Sequence, residues 1–297
     1  MICLKHYLMI LTLILTMAMG ISFSNDICLT GADYFFKHEN YDQAITEYLR
    51  YIFFSQRDRI GDQDHEMLSE AFYKMGMCYR NQLAWEKAVQ AIIKSLSYTT
   101  NDSLRDERKL AIAIIRITSS SYSAAEMELI RLIHFAKTGS IKLKAYFFLG
   151  VCYLYQFKWQ DAQNQFKKYF ANSLNNSSLA LDSLLIQAGN LHYKSPNKAK
   201  WLSTFIPGAG QLYCGDIKNG INALAINLLT GYLTVDAFVD KRFQDLILGH
   251  LAFFLRYYQG NKANAQYLSE SYNENLNRET AQKILNYLKI NCPGKVK

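Results

Sequence analysis

Two fourteen-residue strings in this chain, MGMCYRNQLAWEKA (residues 75–88) and LGVCYLYQFKWQDA (residues 149–162), carry Gly, Cys, Tyr, Trp and Ala at the same offsets. Repetition of this kind constrains the fold more than any other feature. A short repeat cannot bury its apolar face alone, so neighbouring copies must stack. Gly76, Tyr79, Trp85, Ala88 and Ile92 of the first copy recur as Gly150, Tyr153, Trp159, Ala162 and Phe166. Two weaker copies use the same offsets. One holds Ala32, Phe35, Tyr41, Ala44 and Tyr48; the other holds Ala113, Arg116, Tyr122, Ala125 and Leu129. Arg116 replaces an aromatic. The linkers carry insertions, the first being Gly61 to Glu66. No proline precedes Pro196, so helices can run uninterrupted through this region. Small residues at the first and fourth offsets let two helices approach closely, and the bulky residues fill the space beside them.

With its copies best developed at Leu68–Thr100 and Leu143–Asn172, the region from about Cys28 to Ala171 resembles the tetratricopeptide repeat family. The resemblance implies an all-α solenoid of helix pairs with a concave groove for a protein or peptide partner, and binding instead of catalysis. It also implies which first-helix positions line the groove. In the second repeat these are Tyr73, Met77, Arg80 and Asn81, a lining suited to polar peptide contacts. In the third they include Leu110, Ile114 and Ile117, and in the fourth they are Phe147, Val151, Leu154 and Tyr155. The last two sets make their helices apolar on both faces, which normally means burial. Either the chain's own C-terminal part or an apolar partner segment is expected to cover them. Residues 178–193 read as a further helix capping the repeats, so the repeat region is expected to span 28–193.

Residues 1–20 read as an export signal. Lys5 and His6 precede an apolar run from Tyr7 to Met17, and Ala18 and Gly20 stand at cleavage-site spacing. No lipid-attachment cysteine follows: Cys28 comes after Asn25, Asp26 and Ile27. An exported bacterial protein of the periplasm or envelope membrane is the expectation. Once the signal is removed the cysteine count is odd, so not all can pair within one chain. Cys78 and Cys152 share one repeat offset and read as buried apolar residues. A pairing of Cys214 with Cys292 stays open.

Composition changes at Lys194, where proline and glycine cluster. The string Pro207, Gly208, Ala209, Gly210, Gln211, Leu212, Tyr213, Cys214, Gly215, followed by Gly220, resembles a motif of small bacterial membrane-associated domains, of the form P-G-x-G-Q-x-Y-x-G. The glycines suit tight backbone approach and a sharp helix reversal, with Gln211 and Tyr213 placed to hydrogen-bond the turn. Two apolar segments follow, Ile221–Val239 and Phe243–Tyr258, joined by Asp240, Lys241 and Arg242. They form a helical hairpin module over 194–264. The hairpin is either embedded in a membrane or soluble and docked on the repeats, because it carries Asn222, Asn227, Asp236, Asp245, His250 and Arg256 within its apolar runs. Residues 265–297 complete the chain as an amphipathic helix, with Tyr267, Tyr272, Leu276, Ile284, Leu285 and Leu288 as its buried stripe, and a basic tail.

Catalytic signals are missing from the sequence. There is no H-E-x-x-H, no Cys-x-x-Cys and no Gly-x-Ser-x-Gly. A phosphate loop fails for want of Gly-Lys-Ser/Thr, and a dinucleotide loop fails because Tyr213 stands where glycine is needed. Asp62, Asp64, His65 and Glu66 are read as a charged first helical turn, not a metal site. Asp236 and His250 would meet across the hairpin, which keeps a membrane ion-handling protein as the weakest reading. Lys+Arg 33 against Asp+Glu 25 gives a net charge of +8. It is spread thinly with no aromatic-interleaved stripe, so no nucleic acid is expected. No cofactor or metal is expected. The leading reading is an exported interaction scaffold seated on or in an envelope membrane; the second is a soluble periplasmic binding protein.

Overall fold

The computed structural model describes residues 28–57, 62–171, 178–245 and 251–291. The signal segment 1–20, His250, Cys292 and the basic tail lie outside the described residues. The chain is all-α, with no strand among the described residues. It divides into two compact units, the break falling between Ser178 and Leu179. That is earlier than the composition change at Lys194, and the helix expected to cap the repeats is grouped with the second unit.

The first unit contains α1 (residues 28–37), α2 (Tyr41–Arg57), α3 (Asp62–Asn81), α4 (Trp85–Tyr98), α5 (Asp102–Thr118), α6 (Tyr122–Phe135), α7 (Gly139–Tyr155) and α8 (Trp159–Ala171). From α2 to α8 each helix packs on the next. The four expected repeats are the four pairs α1/α2, α3/α4, α5/α6 and α7/α8. Their close-approach positions are buried as the pattern requires. Ala44, Ala88, Ala125 and Ala162 are all 0% exposed, as are Ala32 and Ala113 at the first offset. A Cβ on Gly76 would lie 2.6 Å from Ile92, and one on Gly150 would lie 2.8 Å from the Phe166 ring. Tyr48, Ile92, Leu129 and Phe166, at the fifth offset, fill the interior. Arg116, the departure from the pattern, reaches Glu128 of α6 at 3.7 Å, so an ion pair between the helices stands in for aromatic packing. Cys78 and Cys152 are buried, and burial pushes their thiols up to about 12 and about 11.

Each pair turns in the same way. Glu39, Leu83, Ser120 and Phe157 all take a left-handed backbone with φ near 60°. The N–H three residues past the helix returns to a carbonyl five residues back: Asn40 to Phe35, Ala84 to Tyr79, Ser121 to Arg116 and Lys158 to Tyr153. This is the closing pattern of a helix C-terminus that normally recruits glycine, yet none of the four is glycine. A side chain at such a position costs roughly 1 kcal/mol. Leu83 is mostly exposed, so nothing packs on it to offset the cost. Leu83→Gly is therefore expected to stabilise the first unit by roughly 0.5–1 kcal/mol, measured by urea unfolding of the purified chain; a loss of stability would show that Leu83 packs in a way its exposure denies.

The second unit contains α9 (Ser178–Gly189), α10 (Pro196–Phe205), α11 (Ala209–Cys214), α12 (Ile217–Val239), α13 (Phe243–Asp245) and α14 (Leu251–Asn291). Helices α10, α11 and α12 all pack on α14. The expected hairpin is present as α12 and α14, and a Cβ on Gly231 would touch the Phe254 ring at 3.5 Å. Its second arm differs from expectation. One helix of 41 residues runs through the boundary placed at 264/265. No proline stands between Pro207 and Pro293, and Gly260 alone does not break a helix. The buried stripe of α14 is Asn261, Ala265, Ser269, Ala281, Ile284 and Leu288. Tyr267, expected inside, is 64% exposed. The face of α14 turned to α11 is set by Ala265, whose side chain would lie 2.7 Å from a Cβ on Gly210.

Candidate functional site

In the repeat unit a cleft of about 260 Å³ opens along the first helices of three consecutive pairs. Helix α3 contributes Tyr73, Met77 and Arg80; α5 contributes Glu107, Leu110, Ala111 and Ile114; α7 contributes Lys144. Three of the four groove residues expected in the second repeat thus line one surface. Asn81, the fourth, is exposed beside the cleft and accepts a hydrogen bond from Arg80 Nη2 at 3.1 Å.

Tyr73 is held by a buried polar cluster behind it. Arg108 of α5 is 2% exposed and lies over the Tyr73 ring at 5.6 Å. Its guanidinium donates to Ser69, to Thr99 and, at 3.2 Å, to Glu70. Ser95 Oγ donates to the Ser69 carbonyl at 2.6 Å. The cluster ties α3, α4 and α5 together, satisfying a charge that would be costly to bury alone. Burial, and then the Glu70 carboxylate, make the Tyr73 phenol hold its proton more tightly than usual. Tyr73 is therefore a fixed, neutral hydrogen-bonding ring at neutral pH. Arg80, Glu107 and Lys144 form no ion pair among the described residues. The cleft offers an apolar floor with both signs of charge on its walls.

The fourth-repeat set behaves differently. Phe147 and Leu154 are 0% exposed and Val151 is 8% exposed. The Phe147 ring meets Phe166 and Tyr169 of α8 at 5.8 and 5.2 Å. Helix α7 packs on α5, α6 and α8 at once, so an all-round apolar helix buries more than one face. These three residues are core, not groove. Tyr155 remains partly exposed and stacks on Tyr122. Glu107 and Lys144 line the cleft without being among the expected groove positions. Each stands three residues before an expected groove position, Leu110 and Phe147, so the signal was one helical turn upstream.

In the second unit the glycine motif builds a joint between helices. Gly208 and Gly215 have φ of 94° and 89° and flank α11. A Cβ on Gly210 would lie 2.1 Å from the Ala199 carbonyl, and one on Gly220 would lie 2.8 Å from Leu212. Pro207 opens the α10/α11 turn. Gln211 is fully buried, and its amide N–H groups donate to the Asn261 carbonyl at 3.0 Å and to Asn261 Oδ1. Ser203 Oγ donates to Gln211 Oε1 and accepts from the Gly210 N–H, both at 3.0 Å. Tyr213 accepts from the Ser195 N–H at 3.2 Å. Gln211 therefore bonds to α10 through Ser203 and to α14 through Asn261, where only the turn was expected. Asn273 holds Lys194 from both sides, accepting its N–H at 2.8 Å and donating to its carbonyl at 2.7 Å. Asp236 pairs with Arg242 at the end of α12. His65 packs edge-on to Tyr98, and Glu66 accepts from Thr100 at 2.8 Å. Among the described residues no three His, Cys, Asp or Glu side chains gather in a way that holds a metal.

Beyond the joint, the surface is apolar. Helix α12 is long and apolar enough to cross a membrane, with mean hydropathy 1.3 and 11% of its apolar window buried. Leu228, Leu229, Tyr232, Val235 and Phe238 are exposed along it. Trp201 and Phe205 on α10, and Phe253 and Leu255 on α14, are exposed as well.

No family model matches the chain, and no curated protein does. Among solved structures, the apo form of RapI is similar over 82% of this chain and 64% of its own, at a TM-score of 0.45 and 15% identity. This chain thus corresponds to less than two thirds of RapI's length. The repeat fold stands on the four helix pairs themselves.

Proposed function

We propose that this protein is an exported, membrane-seated interaction scaffold of a bacterial envelope: the repeat unit holds an extended peptide segment in the α3/α5/α7 cleft, and the second unit seats the chain in the membrane through α12 and the start of α14. The observation that carries this reading is the exposure of α12, a 23-residue apolar helix with little of its surface covered. Exposed apolar area on that scale is the mark of a membrane or partner contact, not of a free soluble surface. The cleft supports binding over catalysis. It holds a fixed tyrosine, an apolar floor and charges of both signs, but no nucleophile paired with a base. The ion-handling reading has less support, since Asp236 is already engaged by Arg242.

The repeat part is tested with the full chain in detergent and a random twelve-residue peptide library. Tyr73→Ala combined with Arg80→Ala is expected to weaken the selected peptides at least tenfold, while Tyr267→Ala on exposed α14 leaves them unchanged. Equal binding by the cleft variant and the intact chain would place the peptide elsewhere.

A further inference from the structure

The second unit carries a cleft of about 660 Å³ between α12 and α14, a size suited to a small ligand. Its wall is unusual for a surface so apolar. Asn219, Asn227 and Asn264 line it together with Arg256, which is its single charged side chain among the described residues. Arg256 is exposed and forms no ion pair among the described residues. The nearby carboxylate of Asp216 is engaged as the cap of α12, accepting from the Asn219 N–H at 3.1 Å and from its amide at 2.7 Å. The cleft thus favours an anionic group.

A second observation adds to this. Asn227 is 4% exposed, and its amide N–H donates to the Ala223 carbonyl at 2.7 Å. Its Oδ1 is buried without a hydrogen-bond partner among the described residues. A buried acceptor left unpaired is costly, and a ligand donor removes that cost. Ile226 and Phe253 extend the cleft as exposed apolar surface.

We infer that this cleft holds the headgroup of a membrane phospholipid: a phosphodiester on Arg256, an O–H or N–H donor of the headgroup toward Asn227, and acyl chain along Ile226 and Phe253. The inference rests on the membrane reading above. Glycerol and ethanolamine headgroups supply such a donor; choline does not. An arginine within an apolar hairpin is expensive unless it finds an anion, and the lipid supplies one.

The test uses the full chain reconstituted into vesicles of phosphatidylglycerol, phosphatidylethanolamine or phosphatidylcholine, each checked first for resistance to a carbonate wash. Native mass spectrometry then counts lipids retained after release into detergent. The glycerol and ethanolamine lipids are expected to be retained at least tenfold more than the choline lipid. Arg256→Gln, at an exposed position, is expected to lose retention of all three. Asn227→Leu is expected to lose the preference for a donor while keeping the phosphate contact. Equal retention of the choline lipid by the intact chain, or unchanged retention by Arg256→Gln, would overturn the inference and leave the membrane reading standing. Displacement of the retained lipid by millimolar glycerophosphoglycerol would overturn the lipid as ligand and assign the site to a soluble phosphodiester. Removal of the protein by carbonate would overturn both.

Discussion

Gly208→Ala is expected to unlock the second unit, costing about 3 kcal/mol. Two effects add at this residue. Its φ of 94° is in the left-handed region, which disfavours any side chain by roughly 1 kcal/mol. A Cβ there would also lie 2.1 Å from the Gly220 carbonyl and 3.3 Å from the Leu224 N–H, both backbone atoms that no rotamer change can move. Relief requires the start of α12, at Gly220 and Leu224, to shift away from the turn that opens α11, loosening the α11/α12 contact. The control is Gly260→Ala, in the same unit. Gly260 is inside α14, past its first two turns, with nothing within 4 Å of a Cβ, so alanine is expected to stabilise by up to about 1 kcal/mol. Hydrogen exchange over α10 to α12 in detergent measures both. Faster exchange in the first variant and unchanged or slower exchange in the second are the expected pair. Equal behaviour of the two would mean that the joint is not tight.

Phe166→Ala is expected to cost the first unit about 3–5 kcal/mol. Phe166 is 1% exposed, fills the space left by Gly150 and meets the Phe147 ring edge-on. Removing the ring leaves a cavity between α7 and α8, where every neighbour is already packed and cannot collapse inward freely. Phe166→Leu keeps part of the volume and is expected to lose about half as much. Urea unfolding with exchange read on α7 and α8 peptides separates this effect from the second unit. A cost below about 1 kcal/mol would mean that the helix pair repacks, and that the repeat offsets do not mark the load they are read to carry.

The repeats were legible because their message is about steric size. Ala44, Ala88, Ala125 and Ala162 recur where two helices touch, and each is buried to the last atom. The turns between helices were not legible. Glu39, Leu83, Ser120 and Phe157 adopt a conformation that sequence normally announces with glycine, and here the flanking helices impose it instead. The cleft was half legible. Tyr73, Met77 and Arg80 follow from the repeat offsets, but Glu107 and Lys144 stand one turn outside the positions considered. Phe147, Val151 and Leu154 of the fourth-repeat set fall in the core for a different reason. A helix apolar on every face does not say which face its neighbours will claim, and Phe147 went to α8. In the second unit the glycines announced a tight turn, and the structure adds its partner: Asn261, fifty residues on, which no local pattern connects to Gln211.

The proposed function requires α12 and the start of α14 to be seated in a membrane. It is tested most directly by expressing the full chain in a bacterium, isolating membranes and washing them with alkaline carbonate. The protein is expected to stay in the pellet and to be released only by detergent. Release by carbonate, or recovery in the soluble fraction, would contradict it: the apolar face of α12 would then be covered by a protein partner, and the second unit would be an interaction module, not a membrane seat.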